Sequence, residues 1–182
     1  MKRLVQLCVL AVLTVGMVAC GGNSTLNDNE AAVYLEAEVK LYTPDVQMST
    51  AAGDVTIDHL IIHSFSKDPD ANLNSSQDVH LTRWVVTPER SDGGTKASPQ
   101  WENTVDMYIP AGGTGDFENY RVFPAEYFHQ APLSYLFPEN GGVDPETGQT
   151  NIRQTLNVEI FGRTAAGKSV SVKFSLAYNF RY

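Results

Sequence analysis

Any chemistry in this chain would have to come from a handful of segments. Gly162-Arg163-Thr164-Ala165-Ala166-Gly167-Lys168-Ser169 fits the phosphate-loop pattern G-x-x-x-x-G-K-[ST] letter for letter. That pattern works only when a helix starts at the lysine, so that its first amides and its dipole meet the phosphates. Ser169 to Phe180 instead alternates strictly and is rich in β-branched and aromatic residues. The segment reads as a hairpin turn, with Gly167 free to take positive φ.

His59 and His63 stand four apart, the spacing that puts two imidazoles on one helix face for zinc. Thr56 to His63 reads as strand, however, and four residues along a strand span about 13 Å. They cannot share one ion. His80 on a neighbouring strand adds no spacing that calls for a metal, so all three read as satisfied or exposed histidines.

The loop from Asp68 to Asp78 carries oxygen ligands at the alternating spacing of calcium loops, with Asp68, Asp70, Asn72 and Asp78 as the candidate ligands. Leu73 stands where the sharp turn wants glycine, and Val79 where the bidentate glutamate belongs. A solvated connecting loop explains the same composition. For hydrolysis the chain offers no G-x-S-x-G elbow and no H-E-x-x-H. Asp116 and Glu118 sit near a glycine-rich turn, where solvated charge is the expectation. Trp101, in Pro99-Gln100-Trp101-Glu102-Asn103, has two readings. Exposed on a loop, it would contact a ligand, stacking on a sugar or anchoring a partner. Opening the next strand, it would pack inward.

The elements that must position these residues are strands. Val33, Leu35, Ala37, Val39 and Leu41 alternate with Tyr34, Glu36, Glu38, Lys40 and Tyr42, the pattern of a half-buried antiparallel strand. Val55, Ile57, Ile61 and Phe65 mark a second strand, with Leu60 and Ile62 on its other side. Val79 to Val86 makes a third that ends before Pro88; Val105, Met107 and Ile109 a fourth; Phe117 to Phe123 a fifth. Pro124 to Phe137 breaks the alternation and predicts a short helical insertion that caps an open end of the sheet. Turns follow at 138–142 and 144–148. Ile152, Leu156, Val158 and Ile160, then Val170 to Phe180, form a closing hairpin.

Strands with turns at short intervals predict an all-β antiparallel sandwich of about seven strands. The spacing resembles immunoglobulin-like and fibronectin-like modules, with Trp84 in the place of their core tryptophan. Two departures mark it off: no inter-sheet disulfide can form, and no tyrosine on the penultimate strand makes a tyrosine corner.

Of the 182 residues, 42% are hydrophobic, too apolar for a disordered chain and enough for one core. The formal charge of -8, with no basic stripe in the sequence, argues against nucleic-acid binding. The start of the chain is different in kind. Lys2 and Arg3 precede an apolar run, Leu4 to Val18, too short for a comfortable membrane span. The run ends in Met17-Val18-Ala19-Cys20, which resembles the lipobox of bacterial lipoproteins. The resemblance implies a signal peptide at 1–19, cleavage before Cys20, and lipidation of its thiol and amine. With Gly21 rather than Asp after the cysteine, it implies delivery to the outer membrane. Residues 20–30 then form a lipidated polar tether, at most about 35 Å long when extended, and 31–182 the sandwich domain. Losing Lys2 and Arg3 takes the charge from -8 to -10, so the lipid, not the domain, would hold the membrane.

The expected function is therefore that of a membrane-anchored envelope lipoprotein, a binding or structural module without catalysis. Its partners would be the membrane, through lipid, and an envelope protein or a glycan. No cofactor is expected beyond the covalent lipid, with calcium as the outside case. The alternatives are a calcium- or glycan-binding surface accessory and a small outer-membrane β-barrel. The latter draws on the aromatic alternation Leu176, Tyr178, Phe180, Tyr182 at the chain's end.

Overall fold

The computed structural model describes residues 31–51 and 53–182. The expected signal peptide, Cys20 and the tether lie outside the described residues. Eight strands follow in order: β1 (Val33–Tyr42), β2 (Asp45–Gln47), β3 (Val55–Ser66), β4 (Val79–Arg90), β5 (Trp101–Ile109), β6 (Thr114–Phe123), β7 (Asn151–Thr164) and β8 (Ser169–Arg181). They form two sheets. One has the order β1-β3-β6, the other β2-β8-β7-β4-β5. All neighbours are antiparallel except β2, which runs parallel to β8. In immunoglobulin lettering this is ABE facing A′GFCC′, an immunoglobulin-like β-sandwich. The strands do not close into the single ring that the barrel alternative required.

The core lies between the sheets. Trp84, fully buried on β4, meets Phe117 at 5.7 Å and Tyr120 at 4.5 Å between ring centroids, both on β6. Aromatic contacts of this kind add to the burial that dominates such a core. The closing hairpin is as expected: Asn151 to Arg163 pair without interruption with Arg181 back to Ser169. Its turn has Gly167 at φ +80, and the Gly167 amide donates to the Thr164 carbonyl at 2.8 Å. The phosphate-loop pattern thus spans strand and turn, with no helix behind the lysine.

Four expectations need correction. β3 buries Val55, Ile57, Leu60 and Ile62, while Ile61 is only half-buried and Phe65 lies exposed. The inward set changes phase between Ile57 and Leu60, beside an irregularity in the β1–β3 ladder, and such a shift moves every later side chain to the other face. β4 runs through Pro88 to Arg90. Pro88 pairs with Leu156 of β7, and the last β4–β5 pair is Val86 with Trp101, so no neighbour misses its amide. β2 was not foreseen; three residues held by the partner strand carry no periodicity. Finally, the insertion is a series of 3₁₀ turns, 125–129, 133–136 and 138–140, rather than an α-helix. Its capping role holds: Leu133 and Leu136 are buried, and Phe128 packs against Phe123 and Phe180.

The strand directions segregate the connections. The start of β1, the β3–β4 loop (67–78), the β5–β6 turn (110–113) and the β7–β8 turn gather at one end. The Lys67 amide donates to the Ala32 carbonyl, and the Ala165 and Ala166 amides to those of Asp78 and Ser76. The opposite end carries 43–51, the β4–β5 loop (91–100), the long β6–β7 excursion (124–150) and Tyr182.

Candidate functional site

That second end is organised by Arg90, the last residue of β4. Its Nε donates to Asp92 Oδ1 at 2.7 Å, its Nη2 to Asp144 Oδ2 at 2.7 Å, and its Nη1 to the Lys96 carbonyl at 3.2 Å. The three charged side chains are almost dry, at 2%, 6% and 0% exposure in that order. Burial pushes the carboxyls of Asp92 and Asp144 up. Arg90 outweighs it, helped by the Arg153 and Gly94 amides at Asp92 and by Thr147 and the Glu146 amide at Asp144, so both lie below the ordinary 3.8. Gly94 is forced by the same packing, because a Cβ there would fall 2.3 Å from the Arg90 guanidinium carbon.

Around this ion cluster two excursions are fastened together. Glu146 accepts the Thr95 and Lys96 amides and the Thr95 hydroxyl, which holds its carboxyl below the usual range. Fully buried Gln154 of β7 accepts the Ser98 amide at 3.1 Å and donates to the Ser98 hydroxyl at 2.9 Å. Thr147 donates to Asp144, and the Gly148 amide to the Asp144 carbonyl, closing the expected 144–148 turn.

Between the fastened loops opens a cleft of about 470 Å³ lined by Asp92, Gly93, Thr147, Gln149, Asn151 and Arg153. Both Asp92 oxygens are occupied, Oδ2 by the Arg153 amide at 2.8 Å. The Arg153 guanidinium has no carboxylate partner among the described residues. Asn151 is oriented by an amide relay: its Nδ2 donates to Asn179 Oδ1 at 2.7 Å, and Asn179 Nδ2 to Asp45 Oδ1 at 2.8 Å. The Asn151 oxygen is therefore left as an acceptor. A second cleft of about 340 Å³ lies on the β1–β3 side of this end, lined among others by Asp45, Asp54 and Asp58. Asp45 and Asp54 are paired with Arg181 and Arg121. Neither cleft is lined by histidine or cysteine, and the side chains lining the first are all polar or charged.

The residues singled out by sequence go elsewhere. Trp101 opens β5 and is 8% exposed, with the Arg121 guanidinium 4.9 Å from its ring centroid; the exposed ligand contact is replaced by the inward reading. The calcium set is at the opposite end, and two of its carboxylates already have hydrogen-bond partners. Asp68 caps its own loop through the Asp70 amide, and Asp78 accepts from the Tyr108 hydroxyl and from the Ala111 amide at 2.8 Å. Asn72 has no part in either bond, and Asn74 caps the 75–77 turn. Among the described residues no group of three or more His, Cys, Asp or Glu is placed to hold a metal ion. The histidines bridge strands instead: His59 to Asp116 at 2.7 Å, His63 to Glu38 at 3.2 Å, His80 to Asp106 at 2.6 Å.

Sequence reasoning missed Arg90, Asp92, Glu146, Gln154 and Arg153. The signals present were Asp92-Gly93-Gly94 and Asp144-Pro145-Glu146-Thr147-Gly148, two turn motifs whose acidic residues meet one arginine across a separation no single sequence reveals. No family model matches the chain, and no curated protein matches it.

Proposed function

We propose that this protein is an outer-membrane lipoprotein whose sandwich carries a non-catalytic binding end away from the lipid anchor. The observation that carries the reading is the segregation of the two ends. Ala31, where the described chain enters the fold, sits with the 67–78 loop and the β5–β6 and β7–β8 turns, while the 124–150 excursion and both clefts lie at the far end. A tether attached before β1 would leave that far end facing its surroundings. Loops on a rigid sandwich are where binding residues concentrate, and buried ion pairs fix these loops in place.

The anchor and the orientation are tested together. Cys20→Ala should release the protein from the membrane fraction and abolish incorporation of a labelled fatty acid. Photo-crosslinkers at Gly93 or Gln149, at the far end, should capture an envelope component in intact cells, whereas one at Asp70 should not. Capture from Asp70 with none from the far end would overturn the orientation. A membrane-bound Cys20→Ala variant would overturn the anchor.

A further inference from the structure

We infer that the Arg153 cleft is a site for a sugar bearing one carboxylate, such as a uronic acid; this rests on the far end being the binding end. The lining argues for the class of ligand. The cleft has no aromatic or aliphatic side chain in its wall, so an apolar ligand gains nothing by entering. Its open groups are a guanidinium, the Gln149 amide and the Asn151 oxygen, with Thr147 already turned toward Asp144. A planar guanidinium fork matches a carboxylate bidentately. An amide offers a donor and an acceptor side by side, the complement of neighbouring hydroxyls.

The charge balance selects a monoanion. Arg90 is shared by Asp92 and Asp144, Glu146 is held by backbone amides and Lys96 Nζ donates to the Tyr135 hydroxyl, so among the described residues no carboxylate answers Arg153. One carboxylate answers the one unpaired guanidinium. A dianionic phosphate would place a second charge beside Asp92 with no cation left for it. The site is formed in part in advance. Asp92 fixes the Arg153 backbone, and the relay through Asn179 to Asp45 fixes Asn151, which leaves the Arg153 and Gln149 side chains to be ordered on binding.

The test is titration of the full chain in detergent with a glucuronic acid disaccharide, its methyl ester and its neutral glucose counterpart, followed by calorimetry or ligand-observed NMR. The acid should bind at least about tenfold more tightly than the ester, the scale of a charge-assisted hydrogen bond. Arg153→Ala should lose that preference with an unchanged melting temperature, since its side chain supports nothing else, and Arg153→Lys should keep part of it. Equal binding of acid and ester, an Arg153→Ala variant that binds normally, or no binding in the millimolar range would each overturn the inference. Far-end crosslinks that persist alongside such a failure would leave the orientation standing. Sugar binding without far-end crosslinks would remove the envelope partner instead.

Discussion

The two ends of this sandwich solve the same problem with different chemistry. At the entry end, two tight turns and the 67–78 loop are tied by main-chain hydrogen bonds and by caps the loop makes on itself from Asp68, Asn74 and Gln77, while Asp78 clasps the β5–β6 turn through Tyr108 and Ala111. At the far end, two long excursions are joined by a buried arginine shared between two aspartates, a glutamate on backbone amides, and an internal glutamine. The 67–78 loop caps amides of its own. The 91–100 loop takes acceptors from Glu146 and Gln154, because a folded chain leaves few buried amides unpaired. The far end thereby gains fixed loops with open space between them, and it depends on charges that tolerate no missing partner.

The comparison is broken most forcefully by Arg90→Met, which strands two buried carboxylates. A loss of about 3–5 kcal/mol is expected in urea unfolding, with amide exchange rising in 91–100 and 144–149 before it rises in 67–78. Acid comes next. Asp92 and Asp144 sit below 3.8 in the folded protein, so the stability they confer is complete above that value and is lost as pH falls through their folded values. Unfolding free energy measured from neutral pH downward should fall once the pH drops below about 4. In Arg90→Met the slope should flatten, because without the guanidinium only the amide and Thr147 hydrogen bonds are left to oppose burial at the two carboxyls. An unchanged slope would show that the ion cluster is not what acid attacks. The smallest effect is expected at the entry end. Asp78→Asn keeps one acceptor oxygen, for the Ala111 amide, and turns an NH2 toward the Tyr108 oxygen, which can accept from it; lost is the carboxylate whose titration those two bonds hold low. Its melting temperature should drop by much less than that of Arg90→Met; an equal drop would erase the distinction between the ends.

What was legible in the sequence followed from periodicity. The alternation of β7 and β8, and of β1 as far as Val39, gave their inward faces, while past a break in the β1–β3 ladder Leu41 turns out and Tyr42 packs on the core; the cluster of aromatics and leucines after Pro124 gave the cap. Trp84 was placed in the core correctly. Periodicity failed where a neighbour overrides it: at β2, which exists because β8 offers an edge, and at Ile57–Leu60, where a phase change exchanges inside for outside. Pro88 misled because a proline's missing amide matters only when a neighbour would have used it. The cleft was illegible for a further reason. Its residues come from three segments and are assembled by Arg90, whose two carboxylate partners lie 2 and 54 positions away.

The directions of the strands also decide how the molecule would carry tension. A pull applied between Ala31 and the far-end loops runs parallel to β1, whose ladder to β3 crosses that direction at right angles. The hydrogen bonds from Val33 to Tyr42 would then be stretched together in shear, instead of opening one after another like a zipper. A molecule held at its entry end and gripped at its cleft would yield along its most resistant axis.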